Sequence, residues 1–293
     1  MTAQPKILPE LAESDAPASV RAVYAALREG AASPIAALIW RHTATHPGML
    51  EACWASLEPL FVSGRLQASA WRIARETALH NLLPRIEPRA QVLLGIKTGQ
   101  ADTIKAVIEA YNRANPVNLL AVLTLLSRID RSASAETVSS VAPTPRLPEI
   151  AQPIPRMTPP GEMSADVRWL LNDLRFGDRS KLDAVVPSLY RHLTDWPAYL
   201  AVVHIGLAPR FHDGTMADAV GRVEQAMAVE AAVLARQIAP VQELALTPDL
   251  QATMRRFASG FIPMMIVVGY ALAEQMSESA LPRMIGDSRS NSG

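Results

Sequence analysis

Residues 41–64 and 191–214 read as two versions of one segment, and no other feature limits the fold of this chain as strongly. RHTATHPGML (41–50) sets against RHLTDWPAYL (191–200) at an offset of 150 residues. Arg41/Arg191, His42/His192, Pro47/Pro197, Leu50/Leu200, Leu57/Leu207, Pro59/Pro209, Phe61/Phe211 and Gly64/Gly214 are identical, eight matches in 24 positions. Upstream, at an offset of 147, Val20-Arg21 sets against Val167-Arg168, Leu27-Arg28 against Leu174-Arg175, and Gly30 against Gly177. Pro116 and Pro263 share that offset, each ahead of an apolar stretch. The pattern predicts an internal duplication that folds as a pseudo-dimer, with pockets where helices of the two halves converge.

Within each half, apolar residues recur at three- and four-residue spacing in VRAVYAALREG, WRIARETALHNLL and VEQAMAVEAAVLARQIA, the mark of amphipathic helices. Strand-like alternation bounded by two-residue glycine turns is absent, so the fold class is all-α. Seven prolines fall between residues 143 and 160, a density that forbids a helix and favours an extended, semi-rigid connection. The expected organisation is a first helical repeat over 1–131, an extended Pro-rich linker over 132–160, a second repeat over 161–285 and a polar tail over 286–293 that frays.

Composition excludes several functions. Lys plus Arg and Asp plus Glu are both 28, so no basic excess is available to neutralise nucleic acid or an anionic membrane, and neither partner is expected. The single cysteine, Cys53, cannot form a disulfide or a Cys-x-x-Cys pair within the chain, which points to a reducing compartment; with no export signal in MTAQPKILPELAESDAP, the cytoplasm is expected. The longest apolar run, FIPMMIVVGYALA (261–273), is too short to span a bilayer and reads as a buried helix. No Gly-x-Ser-x-Gly elbow, Gly-rich phosphate loop or Cys/His cluster is present, and no metal or cofactor is expected. His42/His46 and Glu76/His80 share the i, i+4 spacing of metal ligands, but solvated or capping roles fit them better. The five tryptophans, Trp40, Trp54, Trp71, Trp169 and Trp196, sit in apolar helical patterns and read as core.

Two local features bear on chemistry. Asn115 precedes Pro116, and a residue before proline is pushed out of the α region; this predicts an Asn115 N-cap on a helix that starts at Pro116. Its counterpart in the second copy is Ile262, so the amide also serves as a candidate for positioning a ligand or water. Arg41-His42 and Arg191-His192 recur in both copies, which favours a structural role at a helix C-terminus, with a carboxylate-binding arginine as the other reading.

The LPEL start (8–11), Tyr24, the proline-led helix at Pro34, ATHPGML (44–50) with Trp54, YNRANP (111–116), Ser188, and DWPAYL (195–200) leading to LAP (207–209) occur in an order that resembles the group I 2-haloacid dehalogenases. That resemblance implies an all-α protein of two internal repeats and a homodimer. It implies a direct attack on C2 of a small 2-halocarboxylic acid by an activated water, with inversion and without an ester intermediate. Asn115 matches the asparagine that helps hold this water. The water-activating carboxylate lies seven residues before the Trp-Pro, a position that is Leu189 here, and the aromatic residue after the proline is replaced by Ile35. Ile35, Leu38, Ser188 and Leu189 are the implied lining of the substrate pocket. Leucine accepts no proton, so ordinary dehalogenase activity is expected to be absent or very weak. Two readings follow: a hydrolase on carbon–halide bonds with its base relocated, or a non-catalytic helical protein that keeps the pocket for a small molecule such as a short carboxylic acid.

Overall fold

The computed structural model describes residues 8–130, 147, 150, 152–175, 186–238 and 246–277. Among them every regular element is helical and none is a strand, as the all-α expectation has it. Six α-helices precede residue 131: α1 (Ala18–Gly30), α2 (Leu38–Thr43), α3 (Met49–Val62), α4 (Arg65–Thr77), α5 (Pro88–Leu93) and α6 (Gln100–Asp130). Six follow residue 164: α7 (Ala165–Asp173), α8 (Ser188–His192), α9 (Pro197–His212), α10 (Thr215–Leu234), α11 (Pro248–Arg256) and α12 (Ile262–Gln275). Arg41 and His42 close α2 while Arg191 and His192 close α8. Pro59 and Pro209 lie inside α3 and α9. Gly64 and Gly214 occupy left-handed backbone (φ 72° and 86°) immediately before α4 and α10, a conformation that favours glycine.

At the centre is α6, 31 residues and about 46 Å long at 1.5 Å per residue. It packs against α4, α10 and α12, and from Ile104 to Leu126 most of its side chains are buried. Side chains also donate into its backbone: Ser33 Oγ to the Ala110 carbonyl (3.0 Å) and Trp71 Nε1 to that of Arg113 (2.9 Å). This packing overturns the expected start at Pro116. The helix runs through Pro116 without a break, so Asn115 is an interior residue and not an N-cap. An interior proline removes one backbone hydrogen bond and crowds the preceding turn, a cost of about 3 kcal/mol, and burial on three sides outweighs it. Pro263, by contrast, does open α12.

Other expectations also change. No helix starts at Pro34; Ser33 Oγ receives the Ile35 N–H (3.3 Å), Ala37 is extended, and α2 begins at Leu38. Trp40, Trp71 and Trp196 are buried, but Trp169 is 63% exposed on α7, because that short helix covers the core with Leu170 and Leu171 only. Residues 257–261 form a π-turn with a kink at Ser259–Gly260 (Gly260 φ 75°), which joins α11 to α12 into an apolar run over 248–275. By length and composition that run could cross a membrane, yet 78% of its most apolar window is buried in the protein, so it serves as a core helix.

Of the Pro-rich stretch, residues 152–159 carry no regular structure and lie on the protein surface rather than away from it: Ile154 packs on the core, and Thr194 donates to Thr158 (3.0 Å). The rest of the proposed linker up to residue 146, together with the 286–293 tail, falls outside the described residues.

Two substitutions check this picture. Asn115→Ala, at a helix-interior site, should leave the unfolding free energy within about 0.5 kcal/mol of the parent in a urea titration. Gly269→Ala should cost about 1–3 kcal/mol, since a Cβ there would collide with Oδ1 of the buried Asn112, whose Nδ2 donates to the Gly269 carbonyl (3.0 Å).

Candidate functional site

Where α2, α6, α8 and α12 converge they enclose a cavity of about 530 Å³. Its walls are built in order along each element. The segment before and into α2 contributes Ile35, Leu38 and Arg41; α6 contributes Tyr111, Asn115 and Asn118, successive positions on one helical face. From α8 come Ser188, Leu189 and His192, while Phe257, Phe261 and Met265 close the side towards α12. Ile154–Met157 of the Pro-rich stretch complete the wall.

All five residues singled out from sequence, Asn115, Ile35, Leu38, Ser188 and Leu189, therefore line one cavity. Leu189 is only 1% exposed and presents an apolar surface. The Asn115 amide makes no hydrogen bond to another described residue, whereas Asn118 is held by Trp40 Nε1 (2.7 Å). A larger hollow of about 1220 Å³ lies between α1, α3 and α4 and shares only Pro34 with this cavity.

Several wall residues were not assigned to the site from sequence. Tyr111 is one turn before Asn115, and His192 is three residues after Leu189; helical spacing alone was the available signal, and it gives no hint that the two helices face each other. Their rings meet edge to face with centroids 5.7 Å apart. Phe257 and Phe261 come to the wall through the π-turn, which no sequence pattern announced.

The polar end of the cavity is cationic and under-bonded. Arg41 pairs with Glu10 (3.1 Å), but its Nε is buried without a partner, as are Arg191 Nε, His192 Nδ1 and Tyr111 Oη. Burial pushes the Tyr111 hydroxyl well above its usual range, against a smaller opposing effect of nearby Ser188. Burial also lowers the Arg191 pKa, while Tyr111 and Glu10 oppose the change and Arg41 adds to it. The pKa of His192 falls to about 4, first through burial and then through the charges of Arg191 and Arg41, so the imidazole is neutral at pH 7. Buried donors and cations without partners carry a desolvation cost that an anionic ligand would relieve. Among the described residues no three His, Cys, Asp or Glu side chains gather in a way that could hold a metal.

No family model matches the chain. A configuration-inverting 2-haloacid dehalogenase of Alcaligenes xylosoxydans xylosoxydans is 26% identical over 208 residues, 68% of each protein. A D-2-haloacid dehalogenase mutant solved with D-2-CPA superposes with a TM-score of 0.69 at 15% identity, covering 94% of this chain and 99% of the other. A D-2-haloacid dehalogenase solved with L-LA gives the same TM-score at 14% identity, over 94% and 100%. The chain resembles the 2-haloacid dehalogenases in sequence and in fold. Leu189, the position at which the sequence resemblance implies a carboxylate, presents an apolar wall to the cavity.

The shifted histidines make stability depend on pH. For His192 the folded pKa of about 4 lies below the ordinary 6.5, so as pH falls the unfolded chain takes up the proton first. His42 is shifted in the same direction, mainly by burial. Stability should be full at pH 7 and decline from about pH 6.5 towards 4, and His192→Gln should flatten that decline in denaturation curves taken at intervals of pH.

Proposed function

We propose that the cavity is the active site of a hydrolase acting on the carbon–halide bond of small 2-halocarboxylic acids. The carboxylate sits at the cationic end, with Arg41 in the wall and Arg191 behind it, and C2 faces Asn115, whose amide orients the attacking water. Ile35, Leu38 and Leu189 take the apolar side of the substrate. One observation carries this reading: a single cavity brings Asn115 and Ser188, far apart in the sequence, together with Arg41 in its wall and close to Arg191, the Nε atoms of both arginines being buried without a hydrogen-bond partner. An arginine offers a planar, always-charged fork suited to a carboxylate. Attack by water directly on C2 inverts its configuration, in keeping with the printed description of the Alcaligenes relative.

A second reading rests on Leu189: the same cavity binds a short carboxylic acid without turning it over. Halide release from D- and L-2-chloropropionate by the purified protein decides between the two. Hydrolysis releases halide and lactate of inverted configuration; calorimetric binding without halide supports the second reading. Under either, Arg41→Gln should weaken binding of 2-chloropropionate about tenfold or more, the value of a charge-assisted hydrogen bond.

The paired helix order, and the corresponding positions of Arg41/Arg191, His42/His192, Pro59/Pro209 and Gly64/Gly214, support an internal duplication in which two halves, 1–131 and 161–285, pack as a pseudo-dimer around the site. Residues 154–157, within the 132–160 stretch between them, supply a wall of the cavity. The likeness to the dehalogenases further suggests a homodimer in the cytoplasm, the compartment that the lone, buried Cys53 also suits. Light scattering at micromolar concentration should return twice the 31.7 kDa of one chain; a mass of one chain rejects the dimer.

A further inference from the structure

We infer that His192, and not the residue at position 189, takes the proton from the water that Asn115 holds. The inference rests on the hydrolytic reading above and supplies the group which that reading lacks.

Geometry comes first. Leu189 and His192 are three residues apart on α8, so they share one face of that helix, and both line the cavity. The His192 ring lies edge-on to Tyr111, which is one turn of α6 from Asn115. His192 and Asn115 line the same cavity, so a water held by the Asn115 amide shares that cavity with the imidazole. Its Nδ1 is buried without a hydrogen-bond partner. Of the described residues on the cavity wall, the side chains with a basic atom that can take a proton from water are His192 and Glu13. Glu13 is held by Arg28 at a half-exposed position. The Tyr111 hydroxyl, its pKa raised by burial, stays protonated and is no base.

Proton affinity is adequate as well. With a conjugate acid of pKa about 4, His192 in the free protein is as strong a base as an ordinary carboxylate. The charged and titratable groups around it are Arg191 on its own helix, Arg41 on α2, Tyr111 on α6 and Glu10 beside Arg41. Burial first, and then the two arginines, hold its affinity down. A substrate carboxylate seated against them offsets their charge, so substrate binding raises the affinity of His192 at the moment a base is required.

The step balances as follows. One proton of water passes to the His192 imidazole, and the water oxygen forms a bond to C2. The carbon–halide bond breaks with its electron pair on the halide, which leaves. The second water proton stays on the product hydroxyl, and the imidazolium then gives its proton to solvent. Net, a 2-haloacid and water become an inverted 2-hydroxyacid, halide and a proton.

The test measures halide release from both enantiomers of 2-chloropropionate between pH 4 and 8, for the unmodified protein, His192→Gln and His192→Asn. The expected result is a kcat lower by about 10²–10⁴ in both variants with KM changed little. In the parent, the acid limb of kcat should lie at higher pH than that of kcat/KM, because one reports the substrate complex and the other the free protein. A merely structural histidine would not separate the two limbs. A readout free of turnover is the His192 titration by NMR with and without propionate, where an upward shift on binding is expected. Halide release retained in folded His192 variants, or a His192 titration unmoved by bound propionate, overturns this inference and leaves the hydrolytic reading standing. Propionate bound but no halide released by the parent overturns the hydrolytic reading and this inference with it.

Discussion

A proline in the middle of a 31-residue helix is tolerable only if the helix is held from outside, and the burial of α6 supplies that hold. Helices α4, α10 and α12 pack around it, and Ser33 and Trp71 donate into its backbone from the first half of the chain. The consequence reaches the site directly. Because the helix does not stop at residue 115, Tyr111, Asn115 and Asn118 fall on one continuous face with fixed spacing, and the cavity acquires a rigid wall. A capped helix starting at Pro116 would have tied the Asn115 amide to its own backbone. In the continuous helix those backbone groups are already paired, and the amide is left for a ligand.

The opposite wall has a different physical character. Short α8 ends in Arg191 and His192, and α2 ends in Arg41, so two helix C-termini bring cationic side chains to one end of the cavity. Cations suit helix C-termini. Here, however, the side chains are partly withdrawn from water with several polar atoms unpaired, an arrangement that costs stability unless an anion completes it. The neutral state of His192 follows first from its burial and then from the same crowding of positive charge. The proposed carboxylate site and the proposed basic nitrogen both rest on this one electrostatic arrangement. Leu189 adds an apolar surface to the same wall.

The all-helical class was legible from amino-acid order alone, because apolar spacing is a local property carried by neighbouring residues. Five residues of the cavity were also reachable, through their place in a resemblance that spans most of the chain. Tertiary structure decided the rest. Whether the helix stops at Pro116 depends on how much of α6 is buried, a sum over contacts with α4, α10 and α12 that no window around Asn115 contains. Trp169 sits in an apolar helical pattern like the other tryptophans, and only the shallow docking of α7 leaves it in solvent. The roles of Tyr111 and His192 likewise exist only once α6 and α8 face each other: proton affinity is set by burial and by the charges that approach through space, and the sequence by itself does not specify those distances.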